Sequence, residues 1–450
     1  MTTLLIRHAS VIATMDDSNT LLRDGAIRIV GNRIDDIGPA DGVAGPADET
    51  IDADGLVLIP GLVNTHHHFY QTLTRNLPAG QDSNLFDWLV THYPIWSRIN
   101  AEAIRVSTKV AMAELMLTGC TTAADHTYMW PNGASIDDQI AAAGEMGMRF
   151  HASRGSMTVG RGAGGLPPDD VVEPEDAVLV DCQRAIERYH DPGRYAMTRI
   201  VLAPCSPFSV SETLMRETAR MARHYAVHLH THLAETLDEA RFCRERFGRT
   251  PVEYAESLEW IGDDVWFAHM VHPGAEEIDR LGRHRCGVAH CPSSNMRLAS
   301  GIAPIRRLRD AGARVGLGVD GSASNDSSHM LMEARQALLL QRVGGDPAAL
   351  SAVEALGLAT RGGAAVLGRD DIGQLSPGMA ADIAGFRLDD IALAGGAVHD
   401  PLAALVFCIP PRADFLMIDG RTRIRNGELL DLDVPALVRR HNDIALALVS

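Results

Sequence analysis

Positive charge is scarce in this sequence, and its shortage limits the partners that the protein can have. Lysine and arginine together number 41 against 58 aspartates and glutamates, so the formal net charge is −17 at pH 7. An acidic chain repels polyanions, which argues against DNA, RNA and anionic membrane surfaces as partners. We therefore expect a small-molecule ligand and no nucleic acid.

The sequence also lacks a long apolar run, a basic amino-terminal segment and a paired set of cysteines. No stretch approaches the roughly 20 apolar residues that a membrane-spanning helix needs, so we expect no membrane association. The seven cysteines are scattered, and Cys286 and Cys291 are too far apart for a C-x-x-C metal motif. Unpaired thiols are typical of reducing compartments, which predicts a cytoplasmic protein.

The sequence does contain enough apolar residues for a large core. Hydrophobic residues make up 46% of the 450 residues, and this length suits a large barrel with a smaller domain. Short alternating strands separated by turns occupy residues 1–57, and the same pattern returns after residue 370. We predict that 1–57 and 370–450 form one small composite β-sandwich domain around a central domain, 58–369. Large barrels often associate, so a homo-oligomer remains open.

The central region alternates apolar strands with helix-like segments. Asn100 is expected to cap one such helix, which Gly119 follows. The predicted strands cover residues 58–68, 121–126, 149–154, 199–205, 227–235, 265–270, 286–291 and 314–320. Eight strand–helix units predict an α/β fold of the (β/α)8 TIM-barrel type, whose chemistry lies at the carboxyl ends of the strands. Residues 69–98, a polar and aromatic segment after the first strand, are expected to be a functional lid or a disordered loop.

Histidines close the first predicted barrel strand. Because side chains alternate along a strand, His66 and His68 point the same way and can bind one metal ion, whereas His67 points away. His232 and Asp320 end the fifth and eighth strands, so the barrel would bring all four groups to one mouth. Three histidines and a carboxylate leave a coordination position open for water, as catalytic sites do. The alternative for the histidine run is three surface side chains at the start of a loop.

Two further residues are candidates for proton transfer. Glu235 follows His232 by three residues and can reach over a substrate, although a glutamate at a helix start also has a purely electrostatic role. His269 ends the sixth predicted strand and can orient a water molecule, although a lone histidine there can equally be a core residue.

Taken together, these motifs resemble the amidohydrolase superfamily, in its mononuclear aminohydrolase branch. The segments that carry the resemblance are 60–68, 231–236, 268–269, 291–301, 318–321 and 373–382. The resemblance implies one divalent transition metal ion, zinc or iron, held by His66, His68, His232 and Asp320. It also implies that Glu235, His269 and Asp320 transfer protons. Dinuclear members bridge their metals with a carboxylated lysine, and the single lysine here, Lys109, lies in a helical segment before the second strand.

The implied reaction is hydrolytic deamination of an amino-substituted nitrogen heterocycle. Residues 66–88 and 151–155 are similar to those of 8-oxoguanine deaminases, so deamination of 8-oxoguanine to urate is the expected reaction. We expect Gln71, Arg154 and Cys205 to contact the ring; Cys205 stands where guanine deaminases have an arginine. The open alternatives are a hydroxyatrazine-type s-triazine aminohydrolase, a guanine or pterin deaminase and, outside the enzymes, a ligand-binding barrel scaffold.

Overall fold

The computed structural model describes residues 2–450. Five strands come first, eight barrel strands follow, and four further strands return to the first group. The bounds are β1 (Thr3–Ala13), β2 (Leu21–Val30), β3 (Arg33–Pro39), β4 (Glu49–Asp52), β5 (Leu56–Pro60), β6 (Leu62–Asn64), β7 (Cys120–Asp125), β8 (Arg149–Ser156), β9 (Thr198–Pro204), β10 (His228–Leu233), β11 (Val265–His269), β12 (Gly287–His290), β13 (Arg314–Leu317), β14 (Ile383–Arg387), β15 (Phe415–Ile418), β16 (Arg421–Arg425) and β17 (Glu428–Leu429).

Both ends of the chain meet in one sheet, which has nine strands within the described residues. Its order is β17-β16-β15-β14-β5-β1-β2-β3, and β4 pairs with β1. The two ends join where β5 runs antiparallel to β14, with Leu58 opposite Gly385. A Cβ at Gly385 would lie 2.9 Å from the Leu58 side chain, so a glycine permits this close pairing. The expectation that both chain ends combine into one β-structure is confirmed.

Strands β6 to β13 form a closed barrel of parallel strands. Each of the eight predicted strands overlaps one of them, so the TIM-type barrel is confirmed. The fold places the carboxyl end of every barrel strand at one mouth.

The first predicted strand was wrong in one respect, because residues 58–68 do not form one barrel strand. Leu56–Pro60 belongs to the sheet, and only Leu62–Asn64 enters the barrel. The chain changes direction at Pro60 and Gly61, where a Cβ on Gly61 would lie 2.2 Å from the Thr121 side chain. Both pieces are fully buried, so their apolar residues form one run that hides the break.

Helices surround the barrel and cover its mouth. Their bounds are α1 (Leu85–Trp96), α2 (Ala101–Leu117), α3 (Ile136–Met146), α4 (Glu175–Tyr189), α5 (Glu212–Tyr225), α6 (Leu237–Phe247), α7 (Pro251–Ser257), α8 (Ala275–Arg283), α9 (Pro292–Arg297), α10 (Ile305–Ala311), α11 (Met330–Arg342), α12 (Ala352–Gly357), α13 (Gly363–Val366), α14 (Gly396–His399), α15 (Pro401–Phe407) and α16 (Val434–Val449). Asn100 caps α2 as predicted, since its side chain accepts a hydrogen bond from the Ala103 amide at 2.9 Å. Between residues 2 and 450, none of these helices combines the length and apolar character that crossing a membrane requires.

The segment after the first barrel strand folds into helices rather than a disordered loop. Phe69–Thr74 is a 3-10 helix, and α1 follows it. The carboxy-terminal helix α16 packs on this region, where His441 Nε2 lies 3.0 Å from Thr72 Oγ1 and Leu448 joins the apolar cluster of α1. We therefore propose grouping α16 with the barrel, although it follows the last strand of the sheet.

A buried ion pair ties the opposite end of the barrel to the sheet. Arg149, at the start of β8, donates from Nε and Nη2 to the two carboxylate oxygens of Asp382 at 2.9 and 3.0 Å. The two side chains are 0% and 2% exposed. Asp382 also accepts a hydrogen bond from the Asp419 amide, in the turn between β15 and β16. The pair therefore joins elements that are distant in the sequence.

We predict that Asp382→Ala lowers the free energy of unfolding by about 3–5 kcal/mol, because the buried Arg149 loses its bidentate partner and keeps only the longer, 3.4 Å contact with Asp419. The control is Glu102→Ala, which breaks the bidentate pair of Glu102 with Arg440, whose side chains are 52% and 50% exposed. The control should cost no more than about 1 kcal/mol. Urea denaturation of both variants measures the difference, and equal losses would contradict a special role for the buried pair.

Candidate metal centre and active site

The four predicted metal ligands converge at the mouth of the barrel. His66 and His68 follow β6, His232 lies on β10, and Asp320 follows β13. Asp320 Oδ1 lies 3.3 Å from both His66 Nε2 and His68 Nε2, and His68 Nε2 lies 3.1 Å from His232 Nε2. The parallel barrel thus brings together residues that are up to 254 positions apart, the separation of His66 from Asp320 (320 − 66).

Burial makes this cluster a set of neutral imidazoles around a carboxylate. Loss of solvation lowers the pKa of His66 well below its ordinary value, lowers that of His68, and lowers that of His232 to about 3. Burial alone would raise the pKa of Asp320, but the adjacent imidazoles of His66 and His269 hold it well below its usual range. Neutral nitrogen and ionised oxygen are the protonation states that bind a metal ion.

Hydrogen bonds to backbone carbonyls fix the tautomers of two of these histidines. His68 Nδ1 lies 2.6 Å from the carbonyl oxygen of His126, and His232 Nδ1 lies 2.7 Å from that of Cys205. A carbonyl only accepts hydrogen bonds, so each Nδ1 carries the proton and each Nε2 keeps its lone pair. Both lone pairs face the centre of the cluster.

The tautomer of His66 is fixed by another histidine instead of a carbonyl. His230 Nδ1 donates to the carbonyl oxygen of Trp266 at 3.0 Å, which leaves His230 Nε2 as an acceptor. His66 Nδ1 lies 2.8 Å from that nitrogen and must donate to it. His66 Nε2 therefore also holds a lone pair, and it is a buried atom without a hydrogen-bond partner among the described residues.

These observations test whether the residues fit a metal ion. Three buried Nε2 lone pairs and one carboxylate face one another, and two of the lone pairs are only 3.1 Å apart. Like dipoles at that distance repel unless a cation lies between them. Imidazole nitrogen with one carboxylate oxygen is a donor set that suits zinc or iron, so the site fits a divalent transition metal.

The predicted proton-transfer residues lie beside the ligands. His269 Nε2 is 3.5 Å from Glu235 Oε2 and 3.8 Å from Asp320 Oδ2, and its Nδ1 is 2.9 Å from Asn295 Oδ1. Burial raises the pKa of Glu235 to about 7. Burial alone would lower the pKa of His269, but the carboxylates of Glu235 and Asp320 outweigh it and raise the value. Glu235 can therefore gain and lose a proton near neutral pH.

Two residues that position Glu235 and His269 were not identified from the sequence. Glu239, in the first turn of α6, accepts hydrogen bonds from the amides of Ala234 and Glu235, both at 2.8 Å. It thereby holds the Glu235 backbone beside Ala234, which has a φ of +55°. Asn295 holds His269 from α9. The sequence does show a carboxylate, Glu239, four residues after Glu235, but carboxylates are common at helix starts and did not indicate this role.

A cavity at the mouth is lined by Glu235, His269 and two of the three predicted ring contacts. It is lined by Gln71 and Cys205 together with the ligands His68, His232 and Asp320. Both polar atoms of the Gln71 amide are buried without a partner among the described residues. A Cβ at Gly321 would lie 1.8 Å from Gln71 Oε1, so this glycine makes room for the amide.

The structure does not bring Arg154, the third predicted ring contact, to the cavity. Arg154 Nη2 donates to Glu173 Oε1 at 2.7 Å, Nε pairs with Asp181, and the residue is not part of the cavity wall. A residue at the end of a barrel strand can point either into the mouth or outward, and the sequence does not distinguish the two directions. The outward direction leaves the guanidinium to pair with carboxylates from the following segment and from α4.

Comparison with known proteins decides the family. Residues 57–423 match the family model described as "Amidohydrolase family". The chain belongs to the amidohydrolase family. This confirms the resemblance drawn from the motifs.

Individual amidohydrolases match over almost their whole length. The chain is 50% identical to 8-oxoguanine deaminase from Pseudomonas aeruginosa over 448 residues, 99% of either chain. It is 39% identical to hydroxydechloroatrazine ethylaminohydrolase from Pseudomonas sp. (strain ADP), with 98% of this chain and 94% of that one covered. The solved structure of zinc-complexed atrazine chlorohydrolase from Arthrobacter aurescens TC1 superimposes with a TM-score of 0.94 at 37% identity, covering 98% of this chain and 100% of that one.

We predict that His230→Phe weakens metal binding about 10- to 100-fold, because it removes the acceptor that keeps the Nε2 lone pair of His66 available. The control is His228→Phe, at the start of the same strand and two residues before His230. Competition with a chromophoric chelator measures both affinities. Unchanged affinity in His230→Phe, or an equal loss in both variants, would contradict the proposed role of His230.

Proposed function

We propose that this amidohydrolase is a metal-dependent hydrolytic deaminase that converts 8-oxoguanine and water to urate and ammonia. The observation that carries the proposal is one cavity whose wall carries His68, His232 and Asp320 beside Glu235, whose pKa is about 7. The 50% identity to an 8-oxoguanine deaminase over 99% of the chain supports the choice of substrate.

We assign the metal to His66, His68, His232 and Asp320, and we propose zinc, as in the zinc-complexed relative, with iron as the alternative. When bound, a divalent transition metal supplies Lewis acidity, which lowers the pKa of water to about 7. Only one lysine is present in the sequence, Lys109, and it pairs with Glu145 on α3, so it is not available to bridge a second metal.

The chain's own carboxyl groups account for the proton movements. Asp320 is ionised, and its Oδ2 faces His269 and away from the two histidines near Oδ1, so it can accept a proton from the attacking water. Glu235, buried and protonated below pH 7, donates a proton to the ring nitrogen next to the amine-bearing carbon. The water oxygen bonds to that carbon, the carbon–nitrogen bond breaks, and ammonia leaves with the proton that Asp320 had accepted. The proton that remains on the added hydroxyl returns to Glu235 as the oxo group forms, so both carboxyl groups end in their starting states.

The cavity wall suits a flat heterocycle. Leu85, Trp88 and Leu89 from α1 and Leu298 provide an apolar surface that excludes water from the ring faces. We propose that Gln71 and Cys205 bind polar atoms of the ring, since the Gln71 amide lacks partners and Cys205 lines the same wall. Burial raises the pKa of the Cys205 thiol to about 12, so it stays protonated.

Two related substrates are second candidates, because the chain also matches their enzymes. It is 38% identical over 422 residues to an isoxanthopterin deaminase from an unknown prokaryotic organism, and 39% identical to the triazine aminohydrolase named above.

We also propose a cytoplasmic location, supported by seven cysteines that are all free in the described part of the chain.

We predict that the zinc-loaded protein releases ammonia from 8-oxoguanine with a higher kcat/KM than from guanine, isoxanthopterin or hydroxylated aminotriazines. An enzyme-coupled ammonia assay, with urate followed by its absorbance, measures the four activities. Ammonia release from isoxanthopterin or a triazine alone would replace 8-oxoguanine by that substrate. Absence of release from every heterocycle would reject the deaminase proposal.

Two variants test the role of Glu235 in the same assay. Glu235→Gln should lower kcat about 10²- to 10⁴-fold, because the amide cannot donate the proton, while the metal content stays unchanged. Glu245→Gln, on the exposed side of α6, is the matched control and should behave as wild type. Full activity of Glu235→Gln would contradict the assigned proton transfer.

A further inference from the structure

Tyrosine hydroxyls gather at the wall of the cavity, and the proton movements described above do not use them. Tyr93 and Tyr128 line the cavity, and Tyr70 lies beside Tyr128 with 5.9 Å between ring centroids. The hydroxyls of Tyr70 and Tyr93 are buried and have no hydrogen-bond partner among the described residues. Such groups cost free energy unless a ligand or water pairs with them.

Helix α1 brings Tyr93 to the cavity from the covering segment rather than from a barrel strand. This helix contributes Leu85, Trp88, Leu89 and Tyr93 to the wall. The two leucines are apolar, and Trp88 Nε1 already donates to the carbonyl oxygen of Ala323 at 3.2 Å. Of these four side chains, only Tyr93 has a polar atom without a partner in the described structure.

The surroundings of Tyr93 keep its hydroxyl protonated. Burial raises its pKa well above the ordinary value, and the neighbouring Cys205 and Tyr70 raise it further. Cys205 and Tyr128 also stay protonated, because burial raises both of their pKa values. This side of the cavity therefore presents O–H and S–H groups, which suit the oxo oxygens of a heterocycle.

We propose that Tyr93 is a substrate-contacting residue whose hydroxyl donates a hydrogen bond to an oxo group of the bound heterocycle. The inference rests on the proposed deaminase function and adds to it a determinant of specificity. The reacting carbon must lie beside Glu235 and the metal-binding groups, so the tyrosine contact applies to another edge of the ring. Because a site with a fixed donor rejects rings that lack the matching acceptor, α1 selects the substrate as well as covering it.

The test compares Tyr93→Phe with Tyr254→Phe. Tyr254 is a matched control because its hydroxyl is also buried without a partner, but it lies against Phe247, away from the cavity. Two quantities are measured on the zinc-loaded proteins: kcat/KM for 8-oxoguanine, and the calorimetric dissociation constant of urate. Urate retains the oxo groups at both C6 and C8, and its binding does not depend on turnover.

We expect Tyr93→Phe to lower kcat/KM and to weaken urate binding by about 10- to 100-fold each, with unchanged zinc content and unfolding temperature. Tyr254→Phe should match wild type in both quantities. Wild-type kinetics and urate affinity in Tyr93→Phe would overturn the inference, as would equal losses in both variants or a loss of zinc. If the wild type binds urate but releases no ammonia, the proposed function fails, and the urate affinities alone decide the role of Tyr93.

Discussion

The candidate active site is organised around four buried groups that repel one another, and a bound cation would relieve that repulsion. Three imidazole lone pairs and an ionised carboxylate face one another in a space from which water is largely excluded. In water each group would be solvated, but here the barrel removes that solvation and supplies no protein cation among the ligands. The surrounding hydrogen bonds then have one consistent explanation: they hold each histidine in the tautomer that presents a lone pair.

The supporting residues follow from the same requirement. Carbonyl oxygens of His126 and Cys205 fix two ligands, His230 fixes the third, and Glu239 fixes the backbone of Glu235. The first three contacts come from barrel strands or from the turns that directly follow them, which are the most rigid parts of such a fold, and Glu239 comes from the first turn of α6. The covering helix α1 differs, because it is attached through a long segment and contributes the wall that meets a substrate.

The sequence allowed the barrel, and the convergence of the candidate ligands at its mouth, to be predicted for physical reasons. Buried parallel strands are continuous apolar runs, and polar residues that end such runs must lie at one mouth. His66, His68, His232 and Asp320 were identifiable on that basis. Two buried strands in direct succession leave no change of pattern between them, which is why the break at Pro60 was missed.

Other features depend on the direction in which a side chain points, which the local sequence does not determine. His228 and His230 lie two residues apart on β10, on either side of Leu229, and only the folded barrel shows that His230 reaches His66. Arg154 and Gln71 were equal candidates for ring contacts, but one turns outward to Glu173 and the other inward. The role of Tyr93 was likewise hidden, since an aromatic residue in an amphipathic helix is ordinarily a core residue.

Metal analysis by inductively coupled plasma mass spectrometry tests the central claim most directly. The protein is loaded with zinc, passed through a desalting column to remove free ions, and compared with the double variant His66→Ala/His68→Ala. The account predicts about one zinc ion per wild-type chain and nearly none in the variant. Wild-type protein that retains no zinc, or a variant that retains as much as the wild type, would contradict it.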